Sequence, residues 1–251
     1  MTNIIAHRGF SAIAPENTFA SFAPMQQYQL DWFETDVSIT ADGQLVLLHD
    51  DKLDRTTDHT GELTDLTFDD IVDADAGSWF GPDFAQTRLL TINDLVQIVE
   101  ESHVNLHLEL KGITGPNGTQ LANELIQKLA PTLNYLNTLV DLYISSFNPV
   151  MLMKMHALAP DLKYAVLYDA GQFYPDWQLV ADACNASYIH LDVSDATPEN
   201  IATIHERGFG VNVYTVNDLN VVAELEANGV DGIFTDIADQ LVPQKVDAIA
   251  I

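Results

Sequence analysis

Ser187-Tyr188-Ile189-His190-Leu191, then Thr197-Pro198, then Gly208 and Gly210-Val211-Asn212-Val213 spell out one strand–helix–strand unit. The two outer runs are short and β-like. Thr197 suits a helix N-cap, where its side-chain oxygen can accept from a free backbone N–H, and Pro198 suits the first helical turn. Gly208 sits where a helix exits and the chain needs a left-handed residue. Outward from this unit the same grammar repeats. β-like runs occur at Asn3–Ala6, Asp31–Val37, Val104–Leu110, Val140–Ser145, Lys163–Leu167, Ser187–Leu191, Gly210–Val213 and Gly232–Phe234. From Val140 onward they start about every 21 to 24 residues, the spacing of parallel βα units. Asn148-Pro149 and Asn217 read as further helix caps, and Gly229 as a further exit. Eight units in 251 residues predict a (β/α)8 TIM barrel spanning 1–251 as a single domain.

One interval breaks the rhythm. About 70 residues separate the second and third runs, and the helix expected over Ile92–Glu101 accounts only for their end. Thr40-Ala41-Asp42-Gly43 reads as a turn into a hairpin extension at Gln44–His49. Residues 50–88 then form an insertion between strand two and helix two, rich in Asp, Thr and Gly. Its aromatics Trp79, Phe80 and Phe84 read either as a plug holding the insertion down or as a contact for an acyl chain or leaving group. Long excursions from βα loops shape the mouth of a barrel.

The chain carries 37 acidic against 10 basic side chains, a formal net charge of −27, with 47% hydrophobic residues. That apolar share is too high for a disordered acidic tail. The field disfavours nucleic acid and anionic membranes as main partners. No apolar run reaches the ~18 residues of a membrane span. The start, Met1 to Ala6, has neither the basic flank nor the apolar stretch of a secretory signal. One cysteine, Cys184, cannot form an intrachain disulfide, which fits a cytoplasmic setting.

Function in such barrels lies at the C-terminal strand ends. Here those ends read His7-Arg8-Gly9, Glu34-Thr35-Asp36 and Glu109-Leu110-Lys111, and the hairpin ends in His49-Asp50. Glu34 and Asp36, two apart on a strand and about 6.6 Å along it, share a face with Trp32. Three carboxylates converging at a mouth repel one another and are costly to desolvate. A divalent cation relieves that cost, and an all-oxygen set favours Mg2+ or Ca2+ over zinc. The alternative is a structural pairing of Glu34, Asp36 and Glu109 with Arg8 and Lys111. His7 and His49 each abut a charged partner at a strand end, and beside a metal they suit a general acid and a general base. His107 reads as a core residue one layer beneath Glu109, with a ligand role as the alternative. His190 is ambiguous, and His59, His103, His156 and His205 read as surface or helix residues.

These residues carry a resemblance to the glycerophosphodiester phosphodiesterases. The matching pieces are His7-Arg8-Gly9, Pro15-Glu16-Asn17-Thr18, Glu34-Thr35-Asp36-Val37, Thr40-Ala41-Asp42-Gly43, His49-Asp50, Arg55-Thr56-Thr57, Glu109-Leu110-Lys111, Thr215-Val216-Asn217 and the run from Gly229 to Asp236. The resemblance implies a metal-dependent TIM-barrel hydrolase that cuts glycerophosphodiesters to glycerol phosphate and an alcohol through a cyclic phosphate. It implies His7 and His49 as the acid–base pair, Glu34, Asp36 and Glu109 as ligands of one cation, and Arg8 and Lys111 as phosphate contacts. Tyr214 stands where tryptophan is common in the family, so the wall it offers the substrate is altered. His107 stands where asparagine is frequent, and the usual proline before helix two is missing at Arg88-Leu89-Leu90-Thr91. Glu16-Asn17-Thr18 reads as a helix start or as a segment beside the site. Gly229–Asp236 reads as an αβ turn, strand eight and a cap at Asp236.

The expected partner is a small glycerophosphodiester, with neither nucleic acid nor stable membrane insertion. Competing readings are a related phosphodiesterase of lysophospholipids, phosphoinositides or glycerol-phosphate polymers, and a silent barrel that binds glycerophosphodiesters without cutting them. With three carboxylates, one dication, Arg8 and Lys111, the mouth would carry a single net positive charge. Without the dication it would carry a single negative charge and repel a phosphodiester.

Overall fold

The computed structural model describes residues 2–244. Nine strands form one sheet: β1 (Asn3–Ala6), β2 (Trp32–Ile39), β3 (Leu45–Val46), β4 (Asn105–Leu110), β5 (Leu142–Ser146), β6 (Lys163–Tyr168), β7 (Ala186–Asp192), β8 (Gly210–Tyr214) and β9 (Gly232–Thr235). Eight of them pair in parallel in the order β1-β9-β8-β7-β6-β5-β4-β2, and β1 pairs β2 to close the ring. The fold is therefore a (β/α)8 barrel. β3 is the hairpin extension, antiparallel to the end of β2 through Ser38↔Val46 and Ile39↔Leu45. It is shorter than the sequence suggests, because only these two positions pair.

The helices that cover the barrel are α2 (Ile92–Ser102), α3 (Gly118–Leu136), α4 (Pro149–Leu158), α5 (Trp177–Ala183), α6 (Pro198–Glu206) and α7 (Leu219–Ala227), with one-turn helices α1 (Phe19–Phe22) and α8 (Ala238–Leu241). Asn148 and Thr197 cap as expected, accepting from the backbone N–H of Val150 and of Asn200. Gly208 and Gly229 take left-handed φ of 85° and 83°. Where the usual proline is missing before α2, Thr91 and Asp94 form a reciprocal capping box that Arg88 clamps through both carboxylate oxygens. One cap differs. Asp218, not Asn217, caps α7, because Asn217 is engaged elsewhere.

The main core lies between the barrel wall and the helices, and includes Phe33, Leu106, Leu125, Leu152, Ile189 and Ile204. A second, smaller core belongs to the insertion: Val46, Leu48, Leu53, Leu63, Ile71, Ala74, Ala76 and Leu89. These aliphatic residues, and not the aromatic cluster, hold the insertion down. Trp79, Phe80 and Phe84 pack edge to face at 5.6 and 5.3 Å, and Trp79 remains 41% exposed.

Inside the barrel, below the mouth, lies an aromatic layer. His107 stacks on Tyr143 at 5.0 Å and meets Trp32 at 4.9 Å and His190 at 5.4 Å. His107 is thus a core residue beneath Glu109. Burial holds both imidazoles neutral, pushing His190 down to about 3 and His107 well below the ordinary histidine value. His190 accepts from the Asn212 amide at 3.1 Å.

Candidate active site

The chain leaves β1 through Arg8 and Gly9, both left-handed at φ 56° and 82°. Gly9 has no substitute here, since a Cβ would stand 2.6 Å from the Ser21 hydroxyl. This turn aims the Arg8 backbone N–H at Glu34, donating to Oε2 at 2.9 Å, and leaves the guanidinium 3.4 Å from Asp36. Asn17, also left-handed at φ 54°, donates from Nδ2 to Asp36 at 2.8 Å and accepts from Thr35. Thr18 is the N-cap of α1, so the segment 16–18 both starts a helix and stands beside the site.

Alternation along β2 turns Glu34 and Asp36 into the barrel, and β4 adds Glu109 in register with Asp36. Each offers one oxygen within 4.8 Å of the others, and all three are buried. Burial and the neighbouring carboxylates Asp36 and Glu109 drive Glu34 well above the ordinary carboxylate value. Burial also pushes Glu109 up to about 7, against the pull of Lys111. For Asp36 burial acts upward too, but Lys111 and Arg8 outweigh it and hold the carboxylate well below its ordinary value. Asp36 Oδ1 is buried without a hydrogen bond, and Lys111 Nζ stands 3.7 Å away. Lys111 donates to Glu109 at 2.6 Å. An oxygen-only trio, costly to ionise together and with one orphaned oxygen, fits a hard divalent cation.

The two histidines face this trio from different places in the chain, His7 just past the end of β1 and His49 from the bend after β3. Each ring is held at Nδ1 by a carboxylate. His7 meets Asp236 Oδ1 at 2.7 Å, and His49 meets Asp50 Oδ1 at 2.7 Å. This leaves Nε2 of each ring as the nitrogen available for exchange with a ligand. Burial pushes His49 below the ordinary imidazole value, with Asp36 acting upward and Arg8 and Lys111 downward.

Asp236 is therefore not the cap the sequence suggested: Ile237 stands at the N-cap of α8, and the Asp236 carboxylate is engaged at the site. It accepts from Ser11 at 3.0 Å and from Asn217 at 2.6 Å while holding His7. Asn217 also accepts from the Asp236 backbone N–H, which explains why it does not cap α7. The hold on His7 depends on β9 closing onto β1, and the Asn217 contact on β8 lying beside β9, neither of which has a local sequence signal.

His7, Arg8, Glu34, His49, Glu109, Lys111 and Tyr214 line one cavity of ≈ 330 Å³. Asp36 lies behind them, in contact with Arg8 and Lys111. Tyr214 forms part of the wall, its hydroxyl tied to the Tyr168 carbonyl at 2.6 Å, and it meets Phe147 edge to face at 5.9 Å. The cavity also takes in Ser145, Phe147, Leu167, Asp169, His190 and Phe234, residues that sequence reasoning did not place at the site except for the ambiguous His190. Phe147 and Asp169 directly follow the ends of β5 and β6, so strand-end position is the sequence signal that marks them. The insertion aromatics Trp79, Phe80 and Phe84 do not line it.

Two imidazoles, a buried acidic trio and two fixed cations meet at the C-terminal end of a (β/α)8 barrel, and the proteins that this chain resembles are phosphoric diester hydrolases. Residues 7–240 match the Glycerophosphoryl diester phosphodiesterase family, and the chain belongs to it. It is 33% identical over 241 residues to the glycerophosphodiester phosphodiesterase of Caldanaerobacter subterraneus, covering 96% of each chain. It is 29% identical to the enzyme of that name from Bacillus altitudinis, over 96% of this chain and 97% of the other. A phosphodiesterase of Oleispira antarctica, solved in complex with the product sn-glycerol-3-phosphate, superposes with a TM-score of 0.86. Its sequence identity is 30%, over 96% of this chain and 95% of that one. Among the described residues no helix is long and apolar enough to cross a membrane.

Proposed function

We propose that this protein hydrolyses glycerophosphodiesters to glycerol phosphate and an alcohol, with His7 and His49 as its acid–base pair. The observation that carries the reading is the convergence of two carboxylate-held imidazoles and a cation-flanked acidic trio on one small cavity. The product bound to the Oleispira relative is of the same chemical class. Glu34, Asp36 and Glu109 would hold one divalent cation, Mg2+ or Ca2+. That ion, when bound, supplies positive charge to the phosphoryl oxygens. Arg8 and Lys111 bind the same non-bridging oxygens and stabilise the charge that grows on them.

A glycerol hydroxyl next to the diester is an intramolecular nucleophile, so the enzyme has little left to position. One histidine takes the hydroxyl proton as its oxygen bonds to phosphorus. The bond to the leaving alcohol breaks, and the other histidine protonates that oxygen. Water then opens the cyclic phosphate, with the histidines exchanging roles. Tyr214 walls the cavity beside the substrate.

His7→Ala and His49→Ala should each lower kcat by roughly 10²–10⁴ while the circular dichroism and melting temperature stay close to those of the parent. Near-normal turnover of glycerophosphocholine by both variants would remove the acid–base assignment. Glu34→Ala should raise the metal concentration needed for activity. Turnover indifferent both to EDTA and to this change would remove the cation.

A further inference from the structure

Arg55 lies outside the cavity, on the insertion, yet its guanidinium makes four hydrogen bonds to two carboxylates. It donates from Nε to Asp50 Oδ2 at 2.7 Å and from Nη2 to Oδ1 at 2.9 Å. It also donates from Nη1 and Nη2 to the two oxygens of Glu16 at 2.7 and 2.8 Å. Glu16 in turn accepts from Arg8 at 2.8 Å, and Asp50 holds the His49 ring. An unbroken row of alternating charges thus runs from Arg8 through Glu16, Arg55 and Asp50 to His49.

The backbone under Arg55 is fixed independently. Leu53 is fully buried in the small core of the insertion, and its carbonyl accepts from both the backbone N–H and the hydroxyl of Thr57. A planar fork held on both sides is a rigid part, unlike a flexible surface ion pair, which contributes little. Nothing in the cavity itself needs Arg55.

We propose that Arg55 is a positioning residue for His49. By bridging Asp50 to Glu16 it locks the carboxylate that fixes the tautomer and angle of the His49 ring. The bridge also ties the insertion to the loop after β1, so the insertion helps to build the site from behind. A carboxylate that orients an imidazole works only if its own rotamer is fixed, and Asp50, at the end of a short hairpin, has few other restraints. Lysine does not substitute, because a point charge cannot meet two carboxylates side-on at once.

The inference rests on the assignment of His49 to the acid–base pair, and kinetics can separate the two. With glycerophosphocholine as substrate and saturating Mg2+ or Ca2+, Arg55→Ala should lower kcat roughly 10- to 100-fold. KM and the affinity for glycerol 3-phosphate should change by less than about threefold, since Arg8 keeps its contact with Asp36 when Arg55 is lost. Arg55→Lys should recover little of the loss, whereas added guanidinium should recover part of it in Arg55→Ala. Asp50→Ala combined with Arg55→Ala should be no slower than Asp50→Ala alone, because one acts through the other. If Arg55→Ala proves unstable, Arg55→Lys carries the same kcat and double-variant tests. The proposal falls if kcat stays within about twofold, if the loss appears in KM, or if the two substitutions multiply fully. An inactive His49→Ala beside a normal Arg55→Ala overturns only the bridge, whereas an active His49→Ala overturns the assignment beneath it.

Discussion

At the scale of single residues, the site is organised by carboxylates that do not face the substrate. Asp236 is held by Ser11 and Asn217 on one side and holds His7 on the other. Asp236→Asn would preserve size but can offer His7 an N–H where an acceptor is required, favouring the wrong tautomer. We expect kcat to fall by roughly 10²–10⁴ with glycerol 3-phosphate binding retained. A variant with unchanged kcat would show that Asp236 serves only to tie the end of β9 to Ser11 and Asn217. The sequence displayed His7, His49, Glu34, Asp36 and Glu109 openly, because strand-end position and residue chemistry both mark them. In the sequence Asp236 and Asn217 read as caps, Glu16 as a helix start or a residue beside the site, and Arg55 as part of the insertion, and none of them shows its partner until the chain is folded. Their partners lie 229, 19, 8 and 39 residues away.

At the scale of elements, the insertion is a separately packed unit attached to β2 and β3. Leu53→Ala should open a cavity in its core and cost about 2–4 kcal/mol of local stability. The barrel core is distinct, so the expected sign is faster proteolysis within residues 50–88 before global unfolding, with a matching loss of kcat through His49. Equal protection of the insertion in parent and variant would argue that the small core contributes nothing. The helices and strands were largely readable, since periodicity, caps and exit glycines are local. The hairpin's true length and the identity of the α7 cap were not. Both are set by competition for partners: the Leu47 N–H turns to the Leu90 carbonyl, while Asn217 is drawn to Asp236 and Asp218 is left to accept from Asn220.

At the scale of the whole molecule, buried histidine makes stability depend on pH. The unfolded chain protonates His190 near the ordinary value of 6.5, whereas the folded protein resists until about 3. The unfolded state therefore binds the proton first. The stability that neutral His190 allows is complete above 6.5 and declines as pH falls toward 3, by about 1.4 kcal/mol per unit. The melting temperature of the parent should drop more steeply between pH 6.5 and 4 than that of His190→Asn. Parallel slopes would contradict this. The net charge of −27 acts on the same scale. Without metal, burial keeps Glu34 and much of Glu109 protonated at neutral pH, so binding of glycerol 3-phosphate to EDTA-stripped protein should weaken as pH rises above 7 and Glu109 ionises, and Mg2+ or Ca2+ should restore it. Strong binding without metal above that pH would mean that Arg8 and Lys111 alone overcome the acidic trio.

The sequence by itself determined the barrel, the place of the insertion and the ionisable residues at the strand ends. Those follow from short-range rules: side-chain alternation, helix capping and the spacing of βα units. The tertiary structure alone decided which carboxylate orients which histidine, that aliphatic residues anchor the insertion, and that Arg55 reaches Glu16. Such pairings depend on the closing of β9 against β1 and on the docking of the insertion. Through-space distance decides electrostatic and hydrogen-bond partners, and one sequence carries no direct record of it.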